Sequence, residues 1–491
     1  MSDISPRLRR RPLAALLTAV TVTLGGLVGP AVSPSTASAS PSASAASSAS
    51  ASSSASSASA SSSASSAFAS ASGSSGTTAA ASATTGVTGI ATPATVVIDG
   101  QRMRQARLAL ASGRPDPALR TALEALTARA DSWLGQGPWT VTDKPAPAPS
   151  GDPHDYLSQA PYWWPSQPQT EDNPRGCPYV QRDGERNPEV DTGTDRPDLG
   201  KVVNSATTLS LAWYYTGRAR YAREAAGILR TWFVAPATRM NPNLNHGQFI
   251  PCKYDGRAIG IIDFSQQYTS VLDALAVLDT GAPGWTRADR AGMRAWNEDF
   301  LDWLVGSPFG KEESAADNNH GTFMDMQVAA LALATGDRRL ARTTVLAARA
   351  KRIDAQIAAD GSQPQELDRT RSWHYSTFDL VAYARLAAVG QHVGVDLWTY
   401  QGPEGQGLFK AVRYLLPAAT GKSPWPHPEL DFRRYAASDI VRAAAGAGDR
   451  AARAAVPHLE APPGGDLWPL RPAAEQLDSI AEQQPGPTAG R

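Results

Sequence analysis

Thr322-Phe323-Met324-Asp325-Met326-Gln327-Val328-Ala329-Ala330-Leu331-Ala332-Leu333-Ala334, then Thr335-Gly336-Asp337, then Leu340 to Ile357 read as an apolar helix, a tight turn and a helix rich in Ala, Arg and Leu. A Gly just past the apolar run suits the left-handed residue that closes a helix. The same grammar stands earlier, as Val202 to Tyr215, Thr216-Gly217 and Arg218 to Phe233. Further helices are predicted at Gln101 to Ala111, Ala118 to Leu134, Gln266 to Leu278 and Arg287 to Val305. Others follow at Ser372 to Val389, Leu408 to Ala418 and Tyr435 to Ala445. Strand signals are sparse. Repeated helix pairs predict an all-α fold, an (α/α) toroid of antiparallel hairpins with long cleft-lining loops, rather than a parallel-sheet enzyme.

Immediately before that stretch stands Asp317-Asn318-Asn319-His320-Gly321. A helix beginning here presents amides and an imidazole from its first turn, where orphan backbone N–H groups favour an anion. An Asn cap followed by a satisfied His is the plainer reading of the pentapeptide. A second Asn-His-Gly, Asn245-His246-Gly247, shows that the dipeptide alone does not name a site. Downstream, Glu366, Arg369, Arg371, His374 and Tyr375 crowd together just before a predicted helix. Arg recognises a carboxylate bidentately, and a Tyr hydroxyl of pKa about 10 is lowered by a nearby cation. Asn, His, Arg and Tyr together suit removal of a proton alpha to a carboxylate, with the amide and guanidinium stabilising the enediolate.

The other notable loop is Asp152-Pro153-His154-Asp155-Tyr156 with Tyr162-Trp163-Trp164-Pro165. It holds too many prolines for a helix. Its rings either stack on sugars or plug the end of a helical barrel.

The chain of 491 residues is not all foldable. Residues 1–39 read as a secretory signal: Arg7, Arg9, Arg10 and Arg11, then apolar Leu13 to Val28, then Ala37-Ser38-Ala39. Residues 40–90 are a Ser/Ala-rich tract expected to be a disordered linker, since it has almost no apolar side chains to offset ordering. The catalytic domain is expected over 91–475 and a flexible tail over 476–491. Formal net charge is zero, and no basic stripe suggests nucleic acid. The two cysteines, Cys177 and Cys252, are expected to pair in an exported chain. No metal-ligand spacing occurs, so neither metal nor cofactor is expected.

From about Asp152 to Leu416 the chain resembles the alginate lyase domain family, polysaccharide lyases on an incomplete (α/α) toroid. The resemblance rests on DPHDYLSQAPYWWP, GRAIGIIDF, the tract W-L-x-x-S-x-x-G-x-E ending in NNHG, and DGSQPQELDRTRSWHYS. It implies Asn319, His320, Arg369 and Tyr375 as catalytic. The Arg-to-Tyr spacing is slightly shorter than in the best-known alginate lyases, which leaves Arg371 as an alternative arginine. Substrate binding is expected from His154, Tyr156, Tyr162, Trp163, Trp164, Asn245, His246, Arg257, Asn318, Glu366, Arg371 and His374. The implied activity is β-elimination on an anionic polysaccharide, alginate foremost with another polyuronate such as glucuronan as the alternative, by a secreted, periplasmic or wall-associated monomer that is free of the membrane once its signal is removed. Two other readings stand beside it: a glycoside hydrolase using two of Glu312, Glu313, Asp317 and Glu366, and a non-catalytic carbohydrate-binding protein.

Overall fold

The computed structural model of the chain describes residues 90–482. The expected secretory signal, and all but the last residue of the Ser/Ala tract, lie outside the described residues. Seventeen α-helices and four short strands are described. The helices are α1 (Gly100–Ala111), α2 (Pro117–Trp133), α3 (Arg196–Thr216), α4 (Ala219–Leu229), α5 (Ile262–Ser265) and α6 (Tyr268–Leu278). Next come α7 (Arg287–Gly306), α8 (Pro308–Ala315), α9 (Asn319–Thr335), α10 (Arg338–Ala348), α11 (Asp354–Gln356) and α12 (Pro364–Leu367). The last are α13 (Ser372–His392), α14 (Leu408–Ala419), α15 (Ser438–Gly446), α16 (Arg450–Ala455) and α17 (Leu477–Glu482). None of these is long and apolar enough to cross a membrane.

Interior and outer helices differ in composition. Of the 17 residues of α9, 14 are buried, and of the 21 in α13, 17 are buried. A helix apolar all round belongs inside, whereas α4 and α10 bury one stripe only. Contacts run from α3 to α6, from α6 to α9, from α9 to α13 and from α13 to α15, with α4 against α3 and α10 against α9. Both hairpins turn where the sequence puts Gly: Gly217 has φ 69° and Gly336 φ 98°. A side chain there would meet the left-handed penalty.

Several boundaries differ from expectation. The helix predicted from Val202 begins at Arg196, and the one predicted to Ile357 gives way at Ala348 to a π-turn over Arg349–Ile353. Helices α8, α12, α16 and α17 lack the periodic apolar run that would betray them. The ordered body also reaches past residue 475: Leu477 and Asp478 are buried.

Two small ribbons carry the loops. Strand β1 (Leu157–Gln159) pairs in parallel with β4 (His246–Phe249), and β2 (Trp163–Pro165) pairs antiparallel with β3 (Tyr179–Gln181), Trp163 facing Gln181. The Cys177–Cys252 disulfide ties the two loop systems together. Beneath them the buried carboxylate of Asp263 accepts from the hydroxyls of Tyr156 (3.2 Å) and Ser158 (2.5 Å) and from Gln248 Nε2 (3.1 Å). Arg196 at the start of α3 lies 3.6 Å from the same carboxylate.

Candidate active site

The loops enclose a cavity of about 540 Å³. Asn318, Asn319 and His320 line it from the start of α9, and Arg369, Arg371, His374 and Tyr375 from the start of α13 and the turn before it. Tyr162, Trp163, Gln181 and Asp183 line it from the β2–β3 ribbon and its flanks, Gln248 from β4 and Arg257 from the loop after β4. Two stretches about fifty residues apart in sequence thus meet because α9 and α13 pack side by side.

The local sequence explains how α9 begins. Asn318 caps it, its Oδ1 accepting the His320 N–H at 3.1 Å, a contact of about 1 kcal/mol in helix ends generally. Gly321 leaves room for the buried Arg352, since a Cβ there would stand 2.2 Å from Arg352 Nη1 and from the Ala316 carbonyl. Arg352 Nε donates to Asp325 at 2.8 Å and Nη2 to the Ser314 carbonyl at 2.7 Å, so α9 and the end of α8 are held by one guanidinium. The Gly in the motif is therefore a packing requirement.

Asn319 is fully buried. Its backbone N–H and its Nδ2 each donate to the Glu366 carboxyl at 2.8 Å, while its Oδ1 has no partner. Glu366 is raised well above the ordinary carboxyl range, first by burial and then by the neighbouring Asp379, which is itself raised by burial. His320 Nδ1 lies 2.7 Å from Oε1 of Glu313, a residue 1% exposed on α8. With the proton on Nδ1 donated to a carboxylate, Nε2 is left as the acceptor.

Arg369 lies with its guanidinium carbon 3.7 Å from the centroid of the Tyr375 ring. Its Nε and Nη2 donate to Asp183, at 3.1 and 2.5 Å to Oδ1. Burial alone would depress Arg369, but Asp183 outweighs it and the pKa rises. The Tyr375 hydroxyl donates to Tyr162 at 2.9 Å. Its pKa moves opposite to the sequence-based expectation: burial and Tyr162 push it well above 10, and the pull of Arg369 is too weak to reverse them. Tyr375 therefore keeps its proton. The Nε of Arg371 lies 3.8 Å from Glu429 Oε1. His374 pairs through Nδ1 with Asp478.

The cavity wall carries Arg186, Arg196, Arg257, Arg369 and Arg371 against one carboxylate, Asp183. Among the described residues Arg257 makes no direct side-chain hydrogen bond or ion pair, its pKa being lowered chiefly by burial and sensing only Tyr254, Glu312 and Glu313 at a distance. The wall suits a polyanion.

Other expected residues stand elsewhere. Tyr156 is buried against Phe264 and serves Asp263, away from the cavity. His154 bonds the Arg239 carbonyl at 2.7 Å and anchors a turn. Trp164 leans on Arg182, 5.0 Å away, outside the cavity wall. Asn245 accepts from Trp303 at 3.2 Å, and His246 reaches the Asp255 carbonyl at 3.1 Å. The second Asn-His-Gly is a backbone crossing: a Cβ on Gly260 would lie 2.4 Å from the Gly247 carbonyl carbon. Glu366 acts from behind Asn319, without lining the cavity. The partners missed in the sequence are Asp183 and Asp478, and Glu313 was read there only as a possible hydrolase carboxylate. Glu313 and Glu366 are both committed to neighbours, which leaves the cavity without the facing pair of carboxylates a hydrolase needs. No group of three or more potential metal ligands occurs among the described residues.

A family model described as alginate lyase matches residues 140–425. The chain is similar to the crystal structure of an alginate lyase from Bacteroides ovatus, with 33% identity and a TM-score of 0.72 over 78% of this chain and 100% of that one. A variant of alginate lyase A1-III complexed with tetrasaccharide matches at 17% identity and a TM-score of 0.48, over 76% of this chain and 94% of that one. No curated protein matches the chain.

Proposed function

The chain belongs to the alginate lyase family and is a polysaccharide lyase, and from that premise we propose that it cleaves a uronate-containing polysaccharide, alginate foremost, by β-elimination. The observation that carries this reading is a single arginine-rich cavity holding a carboxylate-backed His320 and a protonated Tyr375.

The substrate carboxylate accepts from the second Nδ2 hydrogen of Asn319 and from Nη1 of Arg369, the donors that Glu366 and Asp183 do not take. Their hydrogen bonds withdraw charge as C5 loses its proton, and so stabilise the enediolate more than the ground state. His320 Nε2 takes the C5 proton, and the resulting imidazolium is stabilised by Glu313. The electron pair left at C5 forms the C4–C5 double bond as the C4–O4 bond breaks. Tyr375, which its raised pKa keeps in the acid form, gives its proton to the departing O4. Arg369 lies over the ring and tempers the phenolate that remains. Arg257, Trp163 and Tyr162 bind neighbouring sugars. Arg371 stays the reserve arginine, because Arg369 is the one that lies against the Tyr375 ring.

The contact order of the interior helices fits an incomplete (α/α) toroid. Export agrees with the Cys177–Cys252 disulfide, which an oxidising compartment maintains. The test is a panel of mannuronate, guluronate and glucuronate polymers, assayed for ultraviolet-absorbing unsaturated product. Ultraviolet-silent fragments with a new reducing end would instead establish hydrolysis and overturn this reading.

A further inference from the structure

The match to the family model stops at residue 425, yet the cavity wall includes Gln476 and Ser479. We propose that the C-terminal segment Ala473–Ser479 is a working wall of the cavity, and that Asp478 is a positioning residue that fixes the His374 imidazole with Nε2 toward a hydroxyl or carboxylate of the bound uronate chain. This rests on the polyuronate reading of the same cavity.

His374 occupies the first turn of α13, one residue before Tyr375. Its backbone N–H donates to Glu429 Oε2 at 2.9 Å. Its ring stacks on Phe378 (centroids 5.7 Å apart, planes 11° apart) and meets Tyr375 edge-on at 5.0 Å. Nδ1 pairs with the Asp478 carboxylate, the two side chains being 12% and 5% exposed. An imidazole held by stacking on one face and by a carboxylate at Nδ1 has one polar atom left, and His374 lines the cavity. When neutral it accepts there; when protonated it donates.

The segment is built to hold Asp478 in place. Arg385, on the same helix as His374 and Tyr375, donates to the Ala474 carbonyl at 2.9 Å and to Glu475 at 2.6 Å. Arg433 donates to the Asp478 carbonyl at 2.8 Å. Burial opposes ionisation of Asp478, but His374 and then Arg371 outweigh it and hold the carboxyl below its ordinary range. The charged or titratable groups facing His374 are thus Asp478, Glu429, Arg371 and Tyr375, with Arg433 behind Asp478.

The experiment uses the full chain with Asp478→Asn, His374→Gln and the double variant. Asp478→Asn is expected to lower kcat/KM for polyuronate about 10–100-fold, the equivalent of one charge-assisted hydrogen bond. It should also move the acid limb of the pH profile and leave Tm within a few degrees. In the His374→Gln background the same change should add nothing. Long-range nitrogen NMR, assigned by loss of signal in His374→Gln, should show Nδ1 protonated in the unmodified protein, and adding an oligouronate should shift Nε2. A wild-type pH profile with Asp478→Asn, full additivity with His374→Gln, a purely thermal effect, or an unmoved Nε2 would each overturn the proposal. If the polymers bind but give no unsaturated product, the lyase reading fails while the NMR arm still decides this one.

Discussion

His320 Nδ1 stands 2.7 Å from Glu313 Oε1, and no hydrogen-bond partner reaches the other Glu313 oxygen. That contact fixes the ring with Nδ1 toward Glu313 and leaves Nε2 as the ring nitrogen open to the cavity.

Replacing Glu313 with Gln should therefore weaken His320 as a base. Its amide can donate to Nδ1 and so turn the imidazole to the wrong tautomer. We expect kcat to fall by about 10²–10⁴-fold, the usual range for an impaired general base, with a smaller effect on KM. Steady-state kinetics on the best polyuronate decides this, and unchanged kcat would remove His320 from proton abstraction.

Tyr375→Phe keeps the ring under Arg369 and removes only the hydroxyl. Turnover should fall ~10²–10⁴-fold while thermal unfolding barely moves. The folded Tyr375 pKa lies well above 10, so its acid form persists to alkaline pH and is lost only as pH rises through that raised value. Any fall in kcat between pH 8 and about 10 must then come from another group. A Tyr375→Phe profile that loses a limb in that range would contradict the assignment.

Arg257→Ala should act on binding. Its guanidinium is the cavity arginine without a direct ionic partner among the described residues. Removing it should raise KM about tenfold, near 1.4 kcal/mol, with kcat little changed. The KM of the unmodified enzyme should rise with salt more steeply than that of the variant. A pure kcat effect would place Arg257 in the chemistry instead.

Stability should fall as pH rises through neutrality. Asp195 and Asp273 are raised by burial to about 7, against an ordinary 3.8, and Glu366 and Asp379 move the same way. A raised carboxyl contributes stability fully below its unfolded value, and loses it as pH climbs through the folded one. Thermal scans should thus show Tm declining from about pH 4 to pH 8. Asp379→Asn, which removes one such carboxyl, should flatten the slope. A Tm that climbs across this range would refute the buried-acid account.

Reduction of Cys177–Cys252 should destabilise the protein by up to about 4 kcal/mol in the chain-entropy account. It also frees the β2–β3 ribbon and the loop after β4 from each other. Because those segments carry Trp163, Asp183 and Arg257, substrate affinity should weaken before the helices unfold. Parallel measurement of KM and helical circular dichroism under reductant checks the order of loss.

The sequence by itself determined the long helices, their Gly-closed turns and the motifs that resemble the family, because these are local. Period-3.6 apolar runs, a left-handed Gly336 and an Asn cap at Asn318 need only near neighbours. It also pointed to Glu366, close to Arg369 and Tyr375 in the chain. Tertiary structure alone decided which side chains share the cavity. Asp183 and Arg369 lie 186 residues apart, and His374 and Asp478 lie 104 apart. Such pairings leave no periodic trace, since one carboxylate in a loop looks like any other. The aromatic loop divides for the same reason. Side chains alternate across a strand, so Trp163 lines the cavity while its neighbour Trp164 does not, and Tyr156 is drawn into the core by Asp263. Even the sign of the Tyr375 shift was a tertiary matter: a nearby arginine was legible, but the burial that outweighs it was not.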